Sequence, residues 1–189
     1  MYTHVFRSGQ DPTQHPTVIL IHGLGGTLNI WDPIVSVLEH RFSVLRYDLR
    51  GHGQSDVPAG DWSLEDFVSD LESIFINERV PYAHLVGFSL GGLIVQQFAL
   101  SYPDRVRQLA ILSAVAGRTN AERQHVQERI RNLEKGDLDT NIELAMERWF
   151  SPEFRQDHPE RVKKRIAELR STSPAGYFQA YRVFVLSDL

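Results

Sequence analysis

Four short apolar runs punctuate the first two-thirds of the chain: Thr17–Ile21, Phe42–Tyr47, Ala83–Phe88 and Leu109–Ser113. Runs of this length, rich in Val, Ile and Leu, read as strands of a parallel sheet buried on both faces. Thr3–Arg7 predicts a leading antiparallel strand. Between the runs the period changes. Residues 64–78 set Leu64, Phe67, Val68, Leu71, Ile74 and Phe75 three and four apart, which is one apolar face of a helix. Ser63, with Asp66 three residues on, forms a capping box at its start. Leu90–Tyr102 predicts a second helix, stopped by Pro103. Strands alternating with helices imply right-handed βαβ crossovers and an α/β fold.

Beyond the last run the pattern is wholly helical, over 120–133, 141–150, 159–171 and 174–187. Pro159 and Pro174 suit first-turn positions, and Ser173 suits an N-cap. This segment leaves the sheet without returning to a strand. The chain therefore divides into an α/β core over 1–116 and a helical cap over 117–189. The cap is expected over the carboxyl edge of the sheet, where ligand sites of such folds form.

Composition narrows the classes of function. Of 189 residues, 42% are hydrophobic, enough for a sizeable core and against disorder. Lys and Arg number 20 against 24 Asp and Glu, so the basic excess that a nucleic-acid binder needs is missing. Charge is uneven: residues 117–170 hold 12 basic and 11 acidic side chains and the remainder 8 and 13, so the acidic excess lies outside that segment. Without cysteine the chain has no disulfide, thiolate metal site or thiol nucleophile. The stretch Met1–Pro16 is polar, unlike a secretory leader, and no apolar run approaches a membrane span. These features predict a soluble, cytoplasmic protein with neither nucleic acid nor membrane as partner.

Chemistry concentrates in three glycine-rich turns. Gly87-Phe88-Ser89-Leu90-Gly91 is a G-x-S-x-G pattern between a predicted strand and a predicted helix. That context fits a nucleophile elbow, where a tight turn projects the serine hydroxyl above the sheet at a helix N-terminus. The plainer alternative is a serine N-cap on an ordinary helix. His22-Gly23-Leu24-Gly25-Gly26 follows the first buried strand, and there the amide of Leu24 could form an oxyanion hole with the amide of Leu90. A phosphate loop is a poor alternative: no lysine is present, and Leu28 stands where a G-x-G-x-x-G pattern would end. His22 is better read as a loop-holding hydrogen bonder than as a base. Asp48–Ser55, after the second buried strand, carries one Asp and one His, thin evidence for a metal site, and reads as structural.

Together, the His-Gly turn at 22–23, the Asp-x-Arg-Gly-x-Gly-x-Ser loop at 48–55 and the elbow at 87–91 resemble the α/β-hydrolase superfamily. The resemblance covers nearly the whole chain. A serine at 89 implies the ester, lactone and amide hydrolase branches, since haloalkane dehalogenases and epoxide hydrolases carry an aspartate there. Glu147–Phe154, His158–Glu160, Thr172–Tyr177 and Thr27–Pro33 look like the corresponding stretches of 3-oxoadipate enol-lactonases. His22 departs from the residue frequent there in the lactonases, which leaves the substrate open. The resemblance implies no metal or cofactor. It implies an acyl-enzyme route on a small ester or lactone, with Ser89 as nucleophile and Leu24 and Leu90 as oxyanion donors. Trp149 would line the pocket from the cap or serve as a core tryptophan.

The resemblance also implies an acid after the strand that follows the cap, and a histidine after the final strand. Downstream of Ser89 the histidines are His125 and His158, both in predicted cap helices. The expectation is thus about two-thirds of a hydrolase, with the last strands absent and the acid and base outside this chain. The Leu109–Ser113 strand would then be an apolar sheet edge, to be covered by a separate C-terminal fragment or a self-associated copy. Two functions remain in view: a serine hydrolase complete only with a further segment, and a non-catalytic binding module that keeps the cleft.

Overall fold

The computed structural model describes residues 1–135 and 138–187, so the last two residues of the expected cap and two at its middle lie outside the described residues. Five strands form one sheet: β1 (Val5–Gly9), β2 (Thr17–Ile21), β3 (Ser43–Tyr47), β4 (Ala83–Phe88) and β5 (Val106–Leu112). The spatial order is β1-β3-β2-β4-β5. β1 pairs antiparallel with β3, and every other pairing is parallel. The central strands alternate between two cores, as period-two side chains must. Ile19, Ile21, Leu45, Tyr47 and Leu85 pack under α2 (Leu64–Asn77) and α3 (Leu90–Ser101). Val18, Leu20 and Val44 pack on the opposite face with Trp31 and with Val35 of α1 (Asp32–Leu38). Burial on both faces explains why β2 and β3 read as mainly apolar runs.

Several boundaries differ from expectation. β1 begins two residues later than predicted, because the ladder to β3 starts at Val5 opposite Tyr47. β5 begins at Val106 and is not buried: Leu109, Ile111 and Leu112 are 37%, 43% and 44% exposed. It pairs with β4 alone among the described residues, so its apolar run sits on an edge. The short helix α1 went unpredicted because its seven residues are too few to show a helical period. The capping box at Ser63 and Asp66 is present on both sides.

The cap contains α4 (Asn120–Lys135), α5 (Leu138–Trp149), α6 (Pro152–Asp157), α7 (Pro159–Ser171) and α8 (Pro174–Leu186). That is one helix more than expected, since α6 is six residues capped by Ser151. α5 and α7 share a small core of Ile142, Ala145, Met146 and Leu169. α8 belongs to the main core through Ala180, Tyr181 and Val183. Buried Arg118 fastens its end, donating to the carbonyls of Phe184, Val185 and Ser187 at 2.8–3.2 Å. A cation on the last carbonyls of a helix offsets its unpaired C-terminal dipole.

Candidate active site

Ser89 stands between the end of β4 and the first turn of α3 with φ 54° and ψ −114°. A side-chain-bearing residue adopts such a backbone only when its surroundings impose it. The imposing contacts are backbone on backbone. A Cβ on Gly91 would lie 2.7 Å from the His22 carbonyl and closer still to that of Ile21, and a Cβ on Gly87 would enter the Gly91 carbonyl. Glycine at both places lets α3 start directly against β2. The Ser89 hydroxyl makes no capping hydrogen bond to the helix, so it is not spent as an N-cap.

Gly23 brings the second turn against the serine: a Cβ there would sit 2.9 Å from the Ser89 Cβ. The next residue, Leu24, and Ser89 line one cavity of about 400 Å³, within the range of small-ligand sites. Leu90 follows Ser89 at the first position of α3; its side chain is fully buried and does not line the cavity. Among the described residues, no hydrogen bond engages the amide of Leu24 or of Leu90. An unpaired amide at a helix N-terminus, as at Leu90, favours nearby negative charge.

The loop bearing Leu24 is held by two neutral imidazoles. His22 Nε2 accepts from the Leu49 amide at 3.0 Å, so its Nδ1–H donates to the Gly23 carbonyl at 2.8 Å. His52 Nε2 accepts from the Gly25 amide at 2.9 Å, and its Nδ1–H donates to the Arg50 carbonyl. Burial, reinforced by the neighbouring His52, lowers His22 to about 3, and burial lowers His52 to about 4. Both rings therefore stay uncharged with both nitrogens occupied, which makes them clamps between the 23–26 and 48–55 loops. Asp48 adds to the stitching by accepting from the amides of Leu28 and Gln54 and by pairing with His4. The structural reading of the 48–55 loop is thereby supported by named bonds. Arg50 forks onto Asp70 of α2 at 2.7 and 2.8 Å, tying the same loop to the core.

The cap roofs the cavity. Trp149 lines it and is 37% exposed. Arg148 and Arg165 also line it, from α5 and α7. Neither arginine was legible in the sequence, because charged residues on a helix ordinarily mark its solvated face. His125 lines a different cavity with Val115 and Val126, and His158 packs against Phe154 at 4.6 Å. Neither lines the space over Ser89. Among the described residues no three His, Asp or Glu side chains gather to hold a metal ion.

Residues 16–174 match the family model described as the alpha/beta hydrolase fold. The chain belongs to the α/β-hydrolase family. It is 36% identical over 98% of its length to the (E)-2-((N-methylformamido)methylene)succinate hydrolase of Acinetobacter baylyi, and covers 68% of that protein. It is 29% identical over 92% of its length to 3-oxoadipate enol-lactonase 2 of the same organism, and covers 64% of it. Among solved structures, the enol-lactonase from Burkholderia xenovorans LB400 superimposes with a TM-score of 0.90 at 25% identity, over 99% of this chain and 71% of that one. The chain thus spans about two-thirds of the length of these relatives.

Proposed function

We propose that this chain is the nucleophile- and cap-bearing part of a serine hydrolase acting on a carboxylic ester or lactone, of the enol-lactone type, through an acyl-enzyme. The observation that carries the reading is Ser89 itself. Its backbone is forced to positive φ, its hydroxyl is uncommitted, and it lines a cap-roofed cavity beside a turn with a free amide. In the reaction Ser89 Oγ attacks the carbonyl carbon, and its proton passes to a base. The amides of Leu24 and Leu90 hold the oxygen that becomes negative. The carbonyl–oxygen bond to the leaving enolate or alkoxide breaks, and that oxygen takes the proton. Water then adds to the acyl carbon and releases Ser89. The enol-lactonase among the relatives supports lactone chemistry, and the hydrolase of the N-methylformamido succinate derivative supports hydrolysis in the broader sense.

The base and its orienting acid belong, in this reading, to a further segment that pairs with β5. Supporting this, both nitrogens of His22 and of His52 are already bonded, and β5 exposes Leu109, Ile111 and Leu112 along its edge. The segment is part of a longer chain or a separate polypeptide. A second reading, a binding module that keeps the cleft, is favoured by one observation: no imidazole of the described residues lines the cavity.

Labelling with a fluorophosphonate, which requires an activated serine, separates the two. The 189-residue chain alone should label slowly. Co-expressed with the C-terminal third of the Acinetobacter succinate-derivative hydrolase, it should label at Ser89, as read by intact mass, and Ser89→Ala should abolish the label. Failure to label in either form would leave the binding module standing.

A further inference from the structure

The turn that carries Leu24 is gripped from two sides. Below it, the Gly25 amide donates to His52 Nε2 at 2.9 Å, and the Gly26 amide closes the turn on the Gly23 carbonyl at 3.0 Å. Above it lies the cap. Gly25 stands at φ 65°, and a Cβ on it would enter the Leu169 methyl Cδ2 and lie 3.0 Å from Tyr177 Cε2. Leu169 of α7 and the ring of Tyr177 of α8 therefore rest directly on the Gly25 backbone. Arg165 Nη2 reaches the Leu24 carbonyl from the cap at 3.4 Å.

The two jaws of this grip are joined. Gly176, beside Tyr177 in the first turn of α8, meets Gly51, beside His52: a Cβ on Gly176 would lie 2.6 Å from the Gly51 carbonyl. One turn of one helix thus bears on both loops, through Gly176 on 48–55 and through Tyr177 on 23–26. Tyr177 packs against both the main core and the small cap core, and Leu169 is buried in the latter. Close-packed interiors compress little and transmit displacement. A shift of α7 or α8 away from the sheet therefore leaves the turn held from below alone. The Leu24 amide makes no hydrogen bond among the described residues, so its direction is set by how Gly23 and Gly25 are held.

We infer that Leu169 and Tyr177 are positioning residues for the Leu24 amide: they press Gly25 onto His52, so the cap holds the oxyanion turn in shape as well as roofing the cavity. An oxyanion donor works at about 2.7–3.1 Å, and a misplacement of about 1 Å costs about a hundredfold in rate. Loss of the grip is therefore read in kcat more than in KM, since it touches an interaction made in the transition state. The catalytic use of the Leu24 amide rests on the proposed hydrolase reading; the grip on the turn does not.

Hydrogen exchange at the Gly25 amide, followed by NMR in the 189-residue chain, reports the grip without turnover. Leu169→Ala should speed it about tenfold or more. Leu169→Val keeps most of the cap core, should speed it in the same direction, and serves where Leu169→Ala fails to fold by circular dichroism. Gly176→Ala should also speed it, by wedging α8 off the Gly51 carbonyl while removing no apolar surface. Met146→Ala is the control. Met146 is buried in the same cap core, but the atoms nearest a Cβ on Gly25 belong to Leu169 and Tyr177. It should lower stability in urea much as Leu169→Ala does and leave Gly25 exchange unchanged. In the complex with the C-terminal third of the Acinetobacter succinate-derivative hydrolase, Leu169→Ala should lower kcat for p-nitrophenyl acetate about ten- to a hundredfold, with KM within about threefold of wild type. Gly25 exchange unmoved by the Leu169 and Gly176 substitutions, or equally fast in Met146→Ala, overturns the inference. So does an unchanged kcat for Leu169→Ala in a complex that labels at Ser89, and the hydrolase reading then stands. Faster exchange in the Leu169 variants of a protein that labels at no serine upholds the grip, while the hydrolase reading falls.

Discussion

Acid should unfasten the turns around Ser89 before it affects the rest of the sheet, because His22 and His52 clamp them only while neutral. In the folded protein burial holds these rings at about 3 and about 4, whereas an unfolded histidine titrates near 6.5. Between those values the unfolded chain binds protons that the folded chain refuses. Stability therefore rises with pH through this window: the contribution is complete above about pH 6.5 and is lost as pH falls toward the folded values. At about 1.36 kcal/mol per unit, each ring costs about 2.5 kcal/mol by about pH 4.5. The pair then removes about 5 kcal/mol, a large share of the 5–15 kcal/mol of an ordinary domain. Urea unfolding followed by circular dichroism from about pH 7 to about pH 4.5 measures the slope. His52→Gln isolates its cause. Glutamine can still accept from the Gly25 amide and donate to the Arg50 carbonyl, but it does not titrate. That variant should lose about 1 kcal/mol at neutral pH through poorer geometry and show about half the wild-type pH slope. A slope equal to that of the wild type would refute the clamp.

Ser89→Gly should raise stability by about 1 kcal/mol while abolishing fluorophosphonate labelling, since it relieves the positive φ and removes a hydroxyl that caps nothing; a less stable variant would contradict the strain. Gly91→Ala should cost about 3 kcal/mol or more in urea unfolding, because the new Cβ meets the Ile21 and His22 carbonyls and not a flexible side chain. Arg50→Met should cost about 3–5 kcal/mol by leaving Asp70 buried without its forked partner, and a loss below about 1 kcal/mol would show the pair to be dispensable.

The core of the fold was legible because its physics is local or periodic. β2 and β3 are buried at every position and β4 at every second one, so each reads as a mainly apolar run, and α2 carries both halves of its capping box. The elbow was legible for a different reason: only glycine fits at Gly87 and Gly91, and the spacing of the turn is fixed by where strand becomes helix. What escaped had no such signature. α1 and α6 are too short to display a period, and the start of β5 at Val106 depends on its pairing with Ala83. The roles of His22 and His52 were only half legible. A histidine in a glycine-rich turn suits a base or a brace equally well, and the decision lies in the Leu49 and Gly25 amides that tertiary folding brings to their ring nitrogens.

The two sides of the cavity differ in the same way. The core supplies its share through backbone: a serine held at positive φ, and the proposed oxyanion amides at 24 and 90 in turns that glycine makes possible. Such features leave a mark in the sequence because few residues satisfy them. The cap supplies side chains, Trp149, Arg148 and Arg165, whose approach to Ser89 depends on how α5 and α7 pack together through Ile142, Ala145, Met146 and Leu169. An arginine on an amphipathic helix is permitted almost anywhere on the polar face, so nothing in its spacing distinguishes one that faces a cavity from one that faces water. It follows that the proposed nucleophile can be read from the turns of such a chain, whereas the side chains that wall its cavity must be read from the packed cap. Exchanging the α5–α7 pair around a retained Leu169 should accordingly change which ligands bind while leaving Ser89 and the amides of Leu24 and Leu90 in place.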